Sequence, residues 1–158
     1  MINLAVEARE TPMALGAVLV VDGRALGDAD GRLAAIREAV GRRLADVPLL
    51  RRVVHRPGPL AGRPVWVDDR DFRIDRHVLA AAAPPPGDEP ALVRLVADLM
   101  APVLDRSHPL WRMWVVTGLT GGRVALVVKL HHVIADGAAA IGLVGRLLDT
   151  RIETGPAT

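Results

Sequence analysis

The sequence contains no cysteine. That excludes disulfides, thiolate metal sites and a cysteine nucleophile together. It has one phenylalanine, Phe72, and no tyrosine, too few aromatic faces for a platform that stacks single-stranded nucleic acid. Lysine is nearly absent as well: Lys129 is the sole one, so all but one of the 20 basic residues are arginine. The arginines are interleaved with aspartates along the chain, and net charge is only +2. A pI near 10.3 therefore reflects arginine bias, without the clustered basic stripe of a nucleic-acid footprint. No apolar run reaches the ~20 residues of a membrane-spanning helix, and the N-terminus lacks the basic start and apolar centre of a secretory signal. A cytoplasmic protein is the default expectation.

Apolar residues make up 51% of the 158, which supplies a core for one domain. Ala14–Val21, closed by Asp22-Gly23, reads as a buried strand. Asp30 is placed to cap a helix from Gly31 to about Asp46, with Leu33, Ile36, Val40, Leu44 and Val47 on one face. Two short strands follow, Leu50–His55 and Val65–Asp68, and Arg73–Ala81 reads as another. Asp88 caps a helix with Leu92, Leu95, Val96, Leu99 and Val103 at helical spacing. Leu110–Leu119 and the run from Val124 are strands joined by Thr120-Gly121-Gly122. A last helix carries Ala140, Ile141, Val144, Leu147 and Leu148, and residues 150–158 read as a tail or the start of a linker. The pattern predicts a mixed α/β fold, a mixed sheet layered with helices.

Chemistry concentrates at R-V-A-L-V-V-K-L-H-H-V-I-A-D-G, residues 123–137. If the strand continues to residue 132, His132 shares a face with Val124, Leu126, Val128 and Leu130. His131 then shares the opposite face with Lys129 and Arg123. Imidazoles pointing apart do not chelate one metal, so no metal site is expected. A histidine ending a buried strand can act as general base, and Asp136 can fix its loop. Gly137 and the small residues after it allow close approach of a helix, leaving room for a ligand. The plainer reading, in which the histidines end a strand and Asp136 caps a helix, is slightly ahead on spacing alone. Pro109, Leu110 and Trp111 read as packing, and His55, His77 and His108 as surface or strand-end residues.

H-H-V-I-A-D-G (131–137) resembles the H-H-x-x-x-D-G signature of the coenzyme A-dependent acyltransferase superfamily, which includes chloramphenicol acetyltransferase and condensation domains. L-D-R-S-H-P-L-W (104–111), E-T-P-M (10–13), V-V-D-G (20–23) and F-R-I-D-R-H-V (72–78) are similar to the bacterial wax ester synthase/diacylglycerol acyltransferase family. The likeness runs from about residue 10 to residue 149. It implies a chloramphenicol acetyltransferase-like half-domain over residues 1–149. It also implies direct acyl transfer from acyl-coenzyme A, as substrate and without any cofactor, to a long-chain alcohol or diacylglycerol. His132 would be the base, His131 its support and Asp136 a structural brace. Members of the family are built of two similar halves around a tunnel, which makes a C-terminal half the expected partner. Lipid substrates also imply peripheral contact with a membrane or lipid droplet. The competing expectation is a non-catalytic module that binds a partner chain or lipid through its open face, and either reading predicts exposed apolar surface and self-association.

Overall fold

The computed structural model describes residues 13–55, 57, 63–135 and 137–148. Its frame is a four-stranded sheet in the order β1-β6-β5-β4. The strands are β1 (Ala14–Asp22), β4 (Val78–Ala82), β5 (Trp111–Thr117) and β6 (Arg123–His131). β6 runs antiparallel to both β1 and β5, whereas β4 and β5 are parallel. The sheet is therefore mixed. A separate two-stranded ribbon pairs β2 (Arg52–His55) with β3 (Val65–Asp68). The helices are α1 (Ala29–Arg43), the single turn α2 (Ile74–His77), α3 (Glu89–Met100) and α4 (Gly137–Leu148).

The burial of β6 follows from its position. It lies inside the sheet with helices on both faces, so every residue from Val124 to His131 is buried. A strand covered on both sides reads as a continuous apolar run without alternation. Val124, Leu126, Val128 and Leu130 join Val40 and Leu44 of the α1 stretch and Val144 and Leu147 of α4 in the larger core. Ala125 and Val127 turn the other way, with Trp114 and Val116 of β5, against Leu92, Leu95, Val96 and Leu99 of α3. β1, at the sheet edge, alternates half-buried and exposed residues instead.

Local differences from the sequence expectations have simple causes. α1 begins at Ala29 because Asp28, two residues before Asp30, is the cap: its carboxylate accepts from the Gly31 amide at 2.7 Å. The expected helical stretch to Asp46 tightens into a 3-10 turn from Leu44. Arg73–Ala81 divides into α2 and β4, with α2 ending at His77. Asp88 does cap α3, accepting from the Ala91 amide at 2.9 Å. Gly87, just before it, has φ +74°, and a Cβ there would stand 2.0 Å from the Gly118 carbonyl oxygen. Only glycine lets the α3 entry close against the end of β5, where Thr120 N–H donates to Gly87 O.

Candidate active site

β6 ends one residue earlier than the sequence suggested, at His131, and a turn begins at His132. The junction is tied on both sides. His131 N–H donates to Leu110 O at 3.0 Å, holding the start of β5, while His132 N–H donates to Met13 O at 2.9 Å, holding the start of β1. Ile134 N–H donates back to His131 O at 2.9 Å and closes the turn. The alternation argument holds through His131, on the face of Lys129. His132, in the turn, lies beyond the reach of that argument.

The two histidines sit in different environments. His131 is 0% exposed, and its Nδ1 accepts from the Val133 amide at 3.0 Å. A backbone N–H only donates, so Nδ1 carries the lone pair and the ring proton sits on Nε2. His131 is a neutral, fixed support for the turn. His132 is half-buried, and its side chain makes no hydrogen bond or ion pair among the described residues. It is the partly exposed imidazole of the pair. Asp136 lies outside the described residues. Gly137 is the first residue of α4, and its surroundings also lie outside what is described.

Lys129, on the His131 face, is a feature the sequence reading located but did not use. It is 2% exposed, and its ammonium donates to Met100 O at 2.7 Å and to Pro102 O. A buried cation is thus solvated by carbonyls at the C-terminal end of α3, where the helix dipole favours positive charge. The one charge inside V-V-K-L-H-H was the signal. On the opposite face of the sheet lies an apolar cavity of about 200 Å³, lined by Leu15 and Ala17 of β1, Val128 and Leu130 of β6, and Ile141 and Val144 of α4.

Pro109, Leu110 and Trp111 are all buried. Trp111 Nε1–H donates to Leu50 O at 2.8 Å, which joins the sheet to the segment leading into β2. His77 corrects the sequence reading. Far from lying on the surface, it is 3% exposed and sandwiched between Phe72 (centroids 5.0 Å apart) and Trp111 (4.7 Å). Its Nδ1–H donates to Trp111 O at 2.8 Å. The signal was an aromatic and a histidine in F-R-I-D-R-H-V, legible only once Trp111 is beside them. His108 is half-buried with Nδ1 3.7 Å from Asp69 Oδ2, and His55 is exposed at the end of β2.

Burial pushes the His77 pKa below its ordinary value, and the charges of His108 and Arg112 add to the effect, against the opposing pull of its bond to Trp111 O. The folded state therefore resists protonation, while the unfolded chain accepts a proton below about 6.5. This contribution to stability is full above that value and is lost as pH falls from there through the depressed folded value. The melting temperature should drop on acidification across that window, and a His77→Phe variant, which keeps the stack, should show a weaker dependence in the same thermal scans. Equal pH profiles would contradict the assignment.

The mixed sheet, covered by helices on both faces and ending in a paired-histidine turn, is the condensation-domain, chloramphenicol acetyltransferase-like class of fold. A condensation domain from the enacyloxin polyketide synthase superposes on 92% of this chain and 28% of its own, with a TM-score of 0.60 at 22% identity. The chain belongs to the wax ester synthase/diacylglycerol acyltransferase catalytic domain family, which it matches over residues 1–158. It is similar in structure to the wax ester synthase/diacylglycerol acyltransferase from Marinobacter aquaeolei VT8, with a TM-score of 0.74 and 26% identity, covering 92% of this chain and 36% of that one. In sequence it is similar to two Mycobacterium tuberculosis proteins named probable diacylglycerol O-acyltransferases. One is 43% identical over 144 residues, 89% of this chain and 29% of the relative. The other is 38% identical over 151 residues, 96% and 54% respectively. This chain thus spans roughly a third to a half of these relatives. Among the described residues no helix is long and apolar enough to cross a membrane.

Proposed function

We propose that this chain supplies the catalytic histidine of an O-acyltransferase that moves a fatty acyl group from acyl-coenzyme A to a long-chain alcohol or diacylglycerol. The observation that carries this reading is the contrast at the end of β6: a neutral His131 locked into the turn beside a half-buried His132 with no partner among the described residues. His132 takes the hydroxyl proton as the alcohol oxygen attacks the thioester carbonyl. The C–S bond then breaks, and His132 returns the proton to the coenzyme A thiolate. The ester forms directly, with no acyl-enzyme, which suits a chain without cysteine. His131 supports the turn, and Asp136 braces the loop. The apolar cavity between β1, β6 and α4 suits an alkyl chain, each buried methylene contributing about 0.8 kcal/mol. The second wall of the site comes from a C-terminal half-domain, and the protein works in the cytoplasm against a membrane or lipid-droplet surface where such substrates collect.

The test is an acyl-transfer assay with acyl-coenzyme A and either acceptor. The 158-residue chain is assayed alone and mixed with a separately produced polypeptide matching the remaining length of a relative. Turnover is expected in the mixture. A stable complex with no turnover would favour a second reading, a non-catalytic module that binds a partner chain or lipid. That reading draws on Val18 and Val20 of edge strand β1 and Val93 of α3, all exposed and lining an apolar cavity of about 330 Å³.

A further inference from the structure

A polar cavity of about 300 Å³ opens where α2, β4 and β5 meet the loop before Trp111, and Arg76, His77, Asp105, His108 and Arg112 line it. None of these residues takes part in the reaction above. We propose that this cavity binds a small phosphate-type anion that also carries a hydroxyl group.

Two features make the cavity attractive to an anion. First, neither the Arg76 nor the Arg112 guanidinium has a hydrogen-bond or ion-pair partner among the described residues. Guanidinium pairs match tetrahedral and planar oxyanions in geometry as well as charge. The lining carries one carboxylate, Asp105, whose Oδ1 accepts from the Ser107 amide at 2.9 Å and from Ser107 Oγ–H at 2.7 Å. Its charge acts on Arg112 and His108, and with two guanidiniums against one carboxylate the lining stays net positive. Second, Arg112 lies directly opposite Lys129 in the β5–β6 register. Like charges at opposed positions repel, and Lys129 is itself buried. An anion on the Arg112 guanidinium offsets that repulsion.

His77 defines which anion fits. Both faces of its ring are covered, by Phe72 and Trp111, and its Nδ1–H is committed to Trp111 O. Only the edge bearing Nε2 is left to line the cavity. With the proton fixed on Nδ1, Nε2 is an acceptor, so the ligand must present a donor to it. Hydrogen phosphate does so through its P–OH, and glycerol phosphate does so through its carbon hydroxyls. Sulfate has the same shape and no donor.

Calorimetric titration of the intact chain with sodium phosphate, sodium glycerol 3-phosphate and sodium sulfate at matched ionic strength tests this. Saturable binding of phosphate, with sulfate weaker, is expected. Tighter binding of glycerol 3-phosphate would assign an esterified source, and tighter inorganic phosphate a free one. Arg112→Met should weaken binding roughly tenfold or more, as for loss of a charged hydrogen-bond partner. Arg76→Met, at an exposed position, does the same if the first variant fails to fold. His77→Asn keeps the donor to Trp111 O and removes Nε2, so it should erase the preference for phosphate over sulfate. Absence of saturable binding, equal phosphate and sulfate affinity in the parent chain, or unaltered affinity in the arginine variants would overturn the proposal.

Discussion

Replacing His132 by alanine should reduce acyl transfer by about 10²- to 10⁴-fold, the usual contribution of a positioned general base, and leave the fold intact. The second half of that statement discriminates between roles. His132 is held by its backbone, through the bond from its amide to Met13 O, and alanine retains that bond. Its side chain is half-buried and makes no hydrogen bond among the described residues, so removing it leaves no orphaned partner. His131→Ala is the opposite case. It removes a fully buried ring and leaves the Val133 amide without its acceptor, a loss of about 1–3 kcal/mol before any cavity term. The pair should therefore separate: the His132 variant folded and inactive, the His131 variant destabilised. Single-turnover rates in the complemented assay, with thermal melts of both variants, check this. Substantial turnover by a folded His132→Ala protein would sink the base assignment, whatever became of the phosphate site.

The sheet and its layers were legible because periodicity is written in single side chains. The apolar run of β6 and the spacing of Ile36, Val40 and Leu44 need no tertiary information, whereas β1, apolar throughout and expected to be buried, lies at the sheet edge with half-buried and exposed residues alternating. Boundaries were less so. Asp28 and Asp30 are both capping residues, and only the backbone extended at Asp28 decides between them. Arg73–Ala81 reads as one strand because Ile74, Val78 and the alanines suit a strand, yet α2 forms within it. His77 there gains a stack and a buried hydrogen bond from Trp111, 34 positions away. At the candidate site the motif identified the two histidines, but strand parity does not reach His132, because β6 ends at His131. Which of them is locked depended on a bond from Val133 to His131, invisible to spacing. The same limit hid the cavity of Arg76, His77 and Arg112, since α2 and β5 are brought together only by folding.

Trp111 is where the largest loss of stability is expected. It is 0% exposed, carries the stack with His77 and donates from Nε1 to Leu50 O. Truncation to alanine opens a cavity at the meeting point of β5, α2 and the segment before β2, and large aromatic deletions of that kind cost about 3–5 kcal/mol. Against the roughly 5–15 kcal/mol that hold a domain together, such a loss can leave the chain partly unfolded. Trp111→Phe isolates one component. Phenylalanine fills most of the volume and keeps a ring beside His77, but it leaves the buried Leu50 carbonyl without its donor, at about 1–3 kcal/mol. Urea unfolding should rank the parent above Trp111→Phe and Trp111→Phe above Trp111→Ala. A loss below about 1 kcal/mol for the alanine variant would mean that the β2–β3 ribbon and the sheet are not joined through this ring. Because Trp111 also forms one face of the His77 sandwich, a Phe variant that stays folded should still prefer phosphate to sulfate. The Nδ1–H of His77 bonds to the backbone oxygen of residue 111, and changing the side chain does not remove that acceptor.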